Sequence, residues 1–107
     1  YHYEDIMLLL EKYSEHDLAN KACVIDTNHS NSGKKYKEQI RIAKDVMHSR
    51  KHNNEIKKFV KGLMIESYLI EGNQKISDHM TYGQSITDAC LGFEDTEQLI
   101  YEIADTV

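Results

Sequence analysis

One imidazole and three carboxylates stand where apolar runs end. Asp26 and His29 follow a first run, Glu66 closes a second, and Asp88 lies within a third. In parallel α/β folds the carboxyl ends of the strands form the active face, because the loops there converge over the sheet. One His and two carboxylates meeting there are a reasonable divalent-metal set. Such donors suit iron, manganese, cobalt or zinc, and ligand type does not choose among them. The plainer reading stands beside it: an Asp after a strand is commonly a turn or cap residue, and a His in a polar loop is commonly solvated. No compact motif such as H-E-x-x-H is present. The other histidines, His2, His16, His48, His52 and His79, fall on predicted helix or loop surface.

The elements that must position these groups are readable from periodicity. Tyr3, Ile6, Leu10 and Tyr13 recur at helical steps and predict a helix over 3–14. Ala22-Cys23-Val24-Ile25 is a run of strand length, ending in the turn formers of 26–33. A second helix is predicted over 34–48, with Tyr36, Ile40, Ala43 and Met47 as its apolar stripe. Residues 49–54 are polar and read as a surface connection. Residues 59–65 predict a second strand, 67–85 a long loop of the kind that covers a site, and 86–91 a third strand. Asp95 with Gln98 three residues on marks the start of a last helix, whose core face is Leu99, Ile100 and Ile103. Strands alternating with helices imply parallel pairing and right-handed crossovers. An all-helical arrangement, helped by the absence of proline, is the competing reading.

Composition narrows the class. The 107 residues, 40% hydrophobic and 29% charged, suit one ordinary globular domain with a core of limited size. A net charge of −5 argues against a nucleic-acid partner, which needs a basic face. No apolar run approaches the ~20 residues that span a bilayer, and no secretory signal opens the chain. A cytoplasmic location follows as the expectation. Cys23 and Cys90 fit neither a metal knuckle nor a redox pair, and are expected to be free buried thiols. A first residue of Tyr1 rather than Met suggests an excerpt or a processed product.

Local sequence goes further than pattern. Asp26-Thr27-Asn28-His29-Ser30-Asn31-Ser32 resembles the Asp-x-Ser-His-x-Asn-Ser segment of the class I, metal-dependent 3-deoxy-D-arabino-heptulosonate 7-phosphate (DAHP) synthases. Met64-Ile65-Glu66-Ser67-Tyr68-Leu69-Ile70-Glu71-Gly72-Asn73-Gln74 is similar to that family's Met-Val-Glu-Ser-His-Leu-Val-Glu-Gly-Asn-Gln. Tyr82-Gly83-Gln84-Ser85-Ile86-Thr87-Asp88-Ala89-Cys90-Leu91-Gly92-Phe93 resembles its Tyr-Gly-Lys-Ser-Ile-Thr-Asp-Ala-Cys-Ile-Gly-Trp. Three matches in order and in spacing, from about Ala22 onward, are a specific signal.

The resemblance implies a partial TIM (β/α)8 barrel, the last three strand–helix units, with residues 1–107 a single incomplete domain. It implies His29, Glu66 and Asp88 as three of four metal ligands, the fourth being a cysteine near the family's first strand that neither Cys23 nor Cys90 matches. It implies condensation of phosphoenolpyruvate with erythrose 4-phosphate in aromatic amino acid biosynthesis, with a divalent metal (Mn, Fe, Co or Zn) as cofactor. The family's phosphate clamps lie on earlier strands, so this segment is expected to be inactive alone. Either an N-terminal complementing segment or self-association into a homo-oligomer is expected to cover its sheet. A stand-alone, non-catalytic or oligomerising remnant of the family is the alternative. Among the departures, Asn28 replaces a serine, Tyr68 a histidine and Phe93 a tryptophan, and none removes a proposed ligand.

Overall fold

The structure is a computed structural model that describes residues 1–107. Its order is α1 (Tyr3–Ser14), β1 (Cys23–Asp26), α2 (His29–Ser32), a 3-10 turn (Tyr36–Glu38), α3 (Gln39–His52), α4 (Asn54–Phe59), β2 (Val60–Met64), β3 (Ile70–Asn73), β4 (Gln84–Ser85) and α5 (Phe93–Thr106). This is a mixed α/β arrangement, so the all-helical alternative falls. No helix is long and apolar enough to cross a membrane.

β1 and β2 pair in parallel, with Ile25 opposite Leu63 and Asp26 opposite Met64. Alternation along a strand sends Ile25 to one face and Val24 to the other. Ile25 packs with Ile6 of α1, Val46 of α3, Ile56 and Phe59 of α4, and Val60. Tyr13 meets the Phe59 ring edge-on at 5.1 Å between centroids. A second cluster joins Ala43 of α3 to Leu91 and to Leu99 of α5. The helices thus cover one face of the β1–β2 pair. On the other, Val24 is 62% and Met64 44% exposed. The radius of gyration, 16.0 Å, exceeds the ~13 Å of a compact domain of this length. One sheet face is thus open, in an elongated outline of 53 × 28 × 22 Å.

Several expectations need correction. Residues 49–54 are not a surface connection, because α3 runs on to His52 and Asn53 then begins α4. The Asn53 side chain accepts the Glu55 and Ile56 amides at 2.9 and 3.2 Å, so one residue ends a helix and caps the next. The 67–85 segment is not all loop: it contains the parallel β3–β4 pair. The third strand over 86–91 does not form. The Ser85 hydroxyl accepts the Thr87 amide at 3.1 Å and bends the chain out of a ladder. Only its end pairs, as isolated bridges of Leu91 with Ser67 and of Cys90 with Gly72. α5 begins at Phe93, capped by Gly92, so Asp95 and Gln98 lie inside it. Ile100 is 57% exposed; Leu99 and Ile103 carry that helix's inner face.

One glycine is sterically required. Gly83 has φ +79°, and a Cβ there would stand 2.9 Å from that of Leu69.

Candidate metal centre

Each ligand-type side chain is placed by a polar turn. At the end of β1, the Asp26 carboxylate accepts the Asn28 amide at 2.8 Å through Oδ1, and its Oδ2 lies 2.7 Å from His29 Nδ1. Asn31 Nδ2 donates to the Asp26 carbonyl at 2.7 Å, closing the turn that starts α2 at His29. Gly33, at φ +61°, ends that single helical turn. Asp26 therefore does what the plain reading said, shaping a turn, and in the same geometry it holds the imidazole.

Glu66 lies two residues beyond β2. Its backbone is gripped by the fully buried Gln39 at the first position of α3. Gln39 Oε1 accepts the Glu66 amide at 2.9 Å, and Gln39 Nε2 donates to the Glu66 carbonyl at 3.0 Å. The same Oε1 accepts the Thr27 hydroxyl at 2.9 Å, tying the end of β1 to the end of β2. The Glu66 side chain is steered by Asn28, whose Nδ2 donates to Glu66 Oε2 and, at 3.2 Å, to the Ala89 carbonyl. Asp88 reaches the same place from the bend before Cys90. It is anchored by Leu91, whose amide donates to the Glu66 carbonyl at 3.0 Å.

These turns converge. His29 Nε2 is 2.9 Å from Asp88 Oδ2 and 3.5 Å from Glu66 Oε1. One ligand atom from each of the three residues lies within 4.8 Å of the others. Donors around a common cation at ~2.0–2.2 Å have separations of this order. The side chains are 25–40% exposed, open enough for a substrate or water to approach. With its proton on Nδ1 toward Asp26, the ring offers the Nε2 lone pair to the space between the carboxylates, the tautomer that a metal-binding histidine needs. The hydrogen bond to Asp26, with the charges of Asp26 and Glu66, holds the imidazole above the usual histidine range. Partial burial pushes the Asp26 carboxyl up, but the Asn28 amide and His29 outweigh it and leave it below the usual carboxylate range. One nitrogen and two oxygens fit a borderline divalent cation, and three protein donors leave positions open for chemistry.

The sequence-predicted residues His29, Glu66 and Asp88 are thus brought together, although Asp88 arrives from a bend and not from a strand. His2, His16, His48, His52 and His79 are exposed, as expected. Cys23 and Cys90 are free thiols, Cys23 half-buried and Cys90 buried. Burial pushes the Cys90 thiol up, the opposite of what a ligand thiolate needs. Gln39 escaped the sequence reading. Its signal was a polar residue in phase with Ile42, Ala43 and Val46, which form the buried face of α3 together with Met47.

The chain also resembles known proteins. A sequence profile of the DAHP synthetase I family matches residues 1–100. The Trp-sensitive phospho-2-dehydro-3-deoxyheptonate aldolase of Escherichia coli K12 is 39% identical over the full chain, and the Haemophilus influenzae phospho-2-dehydro-3-deoxyheptonate aldolase is 43% identical over 78% of it. The chain spans 30% and 23% of those relatives' lengths. The solved phospho-2-dehydro-3-deoxyheptonate aldolase of Francisella tularensis SCHU S4 superimposes on 99% of the chain with a TM-score of 0.89 at 36% identity, using 30% of that structure. With its motifs in order and its backbone shared, this chain belongs to the DAHP synthetase I family.

Proposed function

We propose that these residues supply the His29, Glu66 and Asp88 ligands of a divalent-metal site in a barrel that condenses phosphoenolpyruvate with erythrose 4-phosphate. The observation that carries this reading is the convergence of the three donors within 4.8 Å in a member of this family. Residues 1–107 act as the closing strand–helix units of that barrel, the last strand being reduced to the pairing of Cys90 and Leu91. A bound divalent cation, Mn, Fe, Co or Zn, supplies Lewis acidity toward the aldehyde oxygen of the sugar phosphate.

The chain's own residues divide the remaining work. His29 offers Nε2 while Asp26 fixes its tautomer. Asn28 engages one Glu66 oxygen and leaves Oε1 facing His29. The two substrate phosphates call for cationic clamps. Arg41 spends its donors on Glu38, Asp45 and Tyr1, and Arg50 on the Met47 sulfur and the Lys57 carbonyl. The family resemblance assigns the phosphate clamps and the fourth ligand to strands outside these residues. Those strands also cover Val24 and Met64.

The test is a coupled assay of phosphate release from both substrates with added Mn(II). The 107 residues alone are expected to give no turnover, and turnover is expected to return on mixing with a segment supplying the missing strands. Activity in the isolated chain defeats the incompleteness argument; a reconstituted barrel with no activity defeats the catalytic assignment.

A second reading rests on the bare sheet face: a second copy of the chain covers it, as in an oligomerising module. Size-exclusion chromatography over a wide concentration range separates them, a persistent compact monomer removing this one.

Asp26→Asn is expected to weaken Mn(II) binding by ~10–100-fold, the usual effect of losing an outer partner of a ligating histidine. Calorimetric affinity equal to that of the unaltered chain would show that Asp26 shapes only the turn.

A further inference from the structure

The carboxyl-terminal end of α3 carries two imidazoles that the site above does not use. His48 and His52 stand one helical turn apart on an exposed face, with ring centroids 4.2 Å apart and planes inclined by 35°. His52 Nδ1 lies 2.9 Å from the His48 carbonyl oxygen. A carbonyl only accepts, so the proton sits on Nδ1 and Nε2 keeps its lone pair, the same selection that outer partners impose on ligating histidines. No carboxylate pairs with either ring, so neither donor is already engaged by an acid. The carbonyl end of the helix dipole adds partial negative charge that favours a cation there, opposed by the Lys51 ammonium in the same turn. Arg50, in the same turn, is directed toward the Met47 sulfur at 3.9 Å and the Lys57 carbonyl at 3.4 Å.

We propose that His48 and His52 form a second, separate site for a late first-row divalent cation, Zn(II), Ni(II) or Cu(II), with water in the remaining positions. Residues at i and i+4 have Cβ atoms ~5–6 Å apart, which lets two imidazoles converge on one ion with metal–nitrogen distances of ~2.0–2.1 Å. Two nitrogens without a carboxylate discriminate. They suit zinc, nickel and copper and serve manganese, magnesium or calcium poorly. The His29, Glu66 and Asp88 set has no such bias against manganese.

The two sites are also far apart. Gln39, which grips Glu66, opens α3, and His52 closes it ~20 Å away at 1.5 Å per residue. A cation on His48 and His52 would fasten the last turn of α3, where Asn53 passes the chain to α4.

The experiment is a calorimetric titration of the protein with Zn(II) and with Mn(II). It compares the unaltered protein with His48→Gln, His52→Gln, the double variant, and two control substitutions at exposed histidines, His16→Gln and His79→Gln. Zn(II) is expected to show a class of sites whose affinity falls at least ~10-fold in each single variant, as befits loss of one of two donors. That class should vanish in the double variant and persist in both controls, with Mn(II) binding the same in all. The four substituted positions, His16, His48, His52 and His79, are solvent-facing, and unchanged far-UV dichroism verifies the fold. His29→Ala, assayed alongside, reports separately on the other centre. Zinc binding identical in the double variant and the unaltered protein overturns the proposal whatever His29→Ala does.

Discussion

Gln39→Leu is expected to lower the free energy of unfolding by about 1–3 kcal/mol. Leucine nearly preserves the volume, so the effect is one of hydrogen bonding and not of a cavity. The substitution strands the Glu66 amide, which Gln39 accepts at 2.9 Å, and removes one of two donors, at 3.0 Å, from the Glu66 carbonyl. Each buried backbone group left without a partner costs about 1–3 kcal/mol. Thr27 is spared, since its hydroxyl also reaches the Met64 carbonyl at 2.9 Å; the Glu66 carbonyl likewise keeps the Leu91 amide, so the effect is that of the single stranded Glu66 amide. Against a total stability of about 5–15 kcal/mol the change is large. Urea denaturation measures it, and an unmoved midpoint would mean that the glutamine only fills space. Gln39→Glu separates the two bonds: it keeps an acceptor for the Glu66 amide but sets a carboxylate oxygen against the Glu66 carbonyl. It should therefore also be destabilised.

The second large effect belongs to the three converging donors. His29→Ala and Glu66→Ala are each expected to reduce Mn(II) affinity by more than the ~10–100-fold typical of losing an outer partner. pH should act on the same site. The Asp26 hydrogen bond and the charges of Asp26 and Glu66 hold the His29 proton more tightly than water does. In the metal-free chain, the stability from that network is therefore full below the ordinary histidine range and lost as pH rises through the raised value. A cation competes for the same lone pair, so its apparent affinity should climb with pH over that interval and level off above it. Calorimetry across this range checks both statements. Unchanged affinity in both variants, or affinity that falls as pH rises, would remove the site.

The open sheet face bears on the same proposal. Val24 and Met64 are exposed on the same face, at the register Val24–Gly62 and Asp26–Met64. That face runs directly into Asp26 and the metal centre. In the proposed barrel, the completing strands would therefore pack beside the site. The absence of turnover expected from the isolated residues and their open sheet have one cause.

From the order of residues alone, the first helix, the two paired strands and the convergence of His29, Glu66 and Asp88 were legible. Helical steps through Ile6 and Leu10 and short apolar runs ending in turn formers are local signals. The three motifs carried the family and, through it, the proposed ligand set. Tertiary structure decided what depends on partners distant in sequence. Residues 86–91 look like a strand, yet no neighbour offers a continuous ladder, and the Ser85 hydroxyl bends them away, leaving Cys90 and Leu91 to pair. Residues 49–54 look like a loop, yet α3 persists because Asn53 can cap its successor. Gln39 reads as one more polar residue inside the helix predicted over 34–48 until the ends of β1 and β2 are seen to need its amide. Spacing along the chain determines which groups an element presents; only packing determines which of them find a partner, because burial makes an unsatisfied polar group too costly to keep.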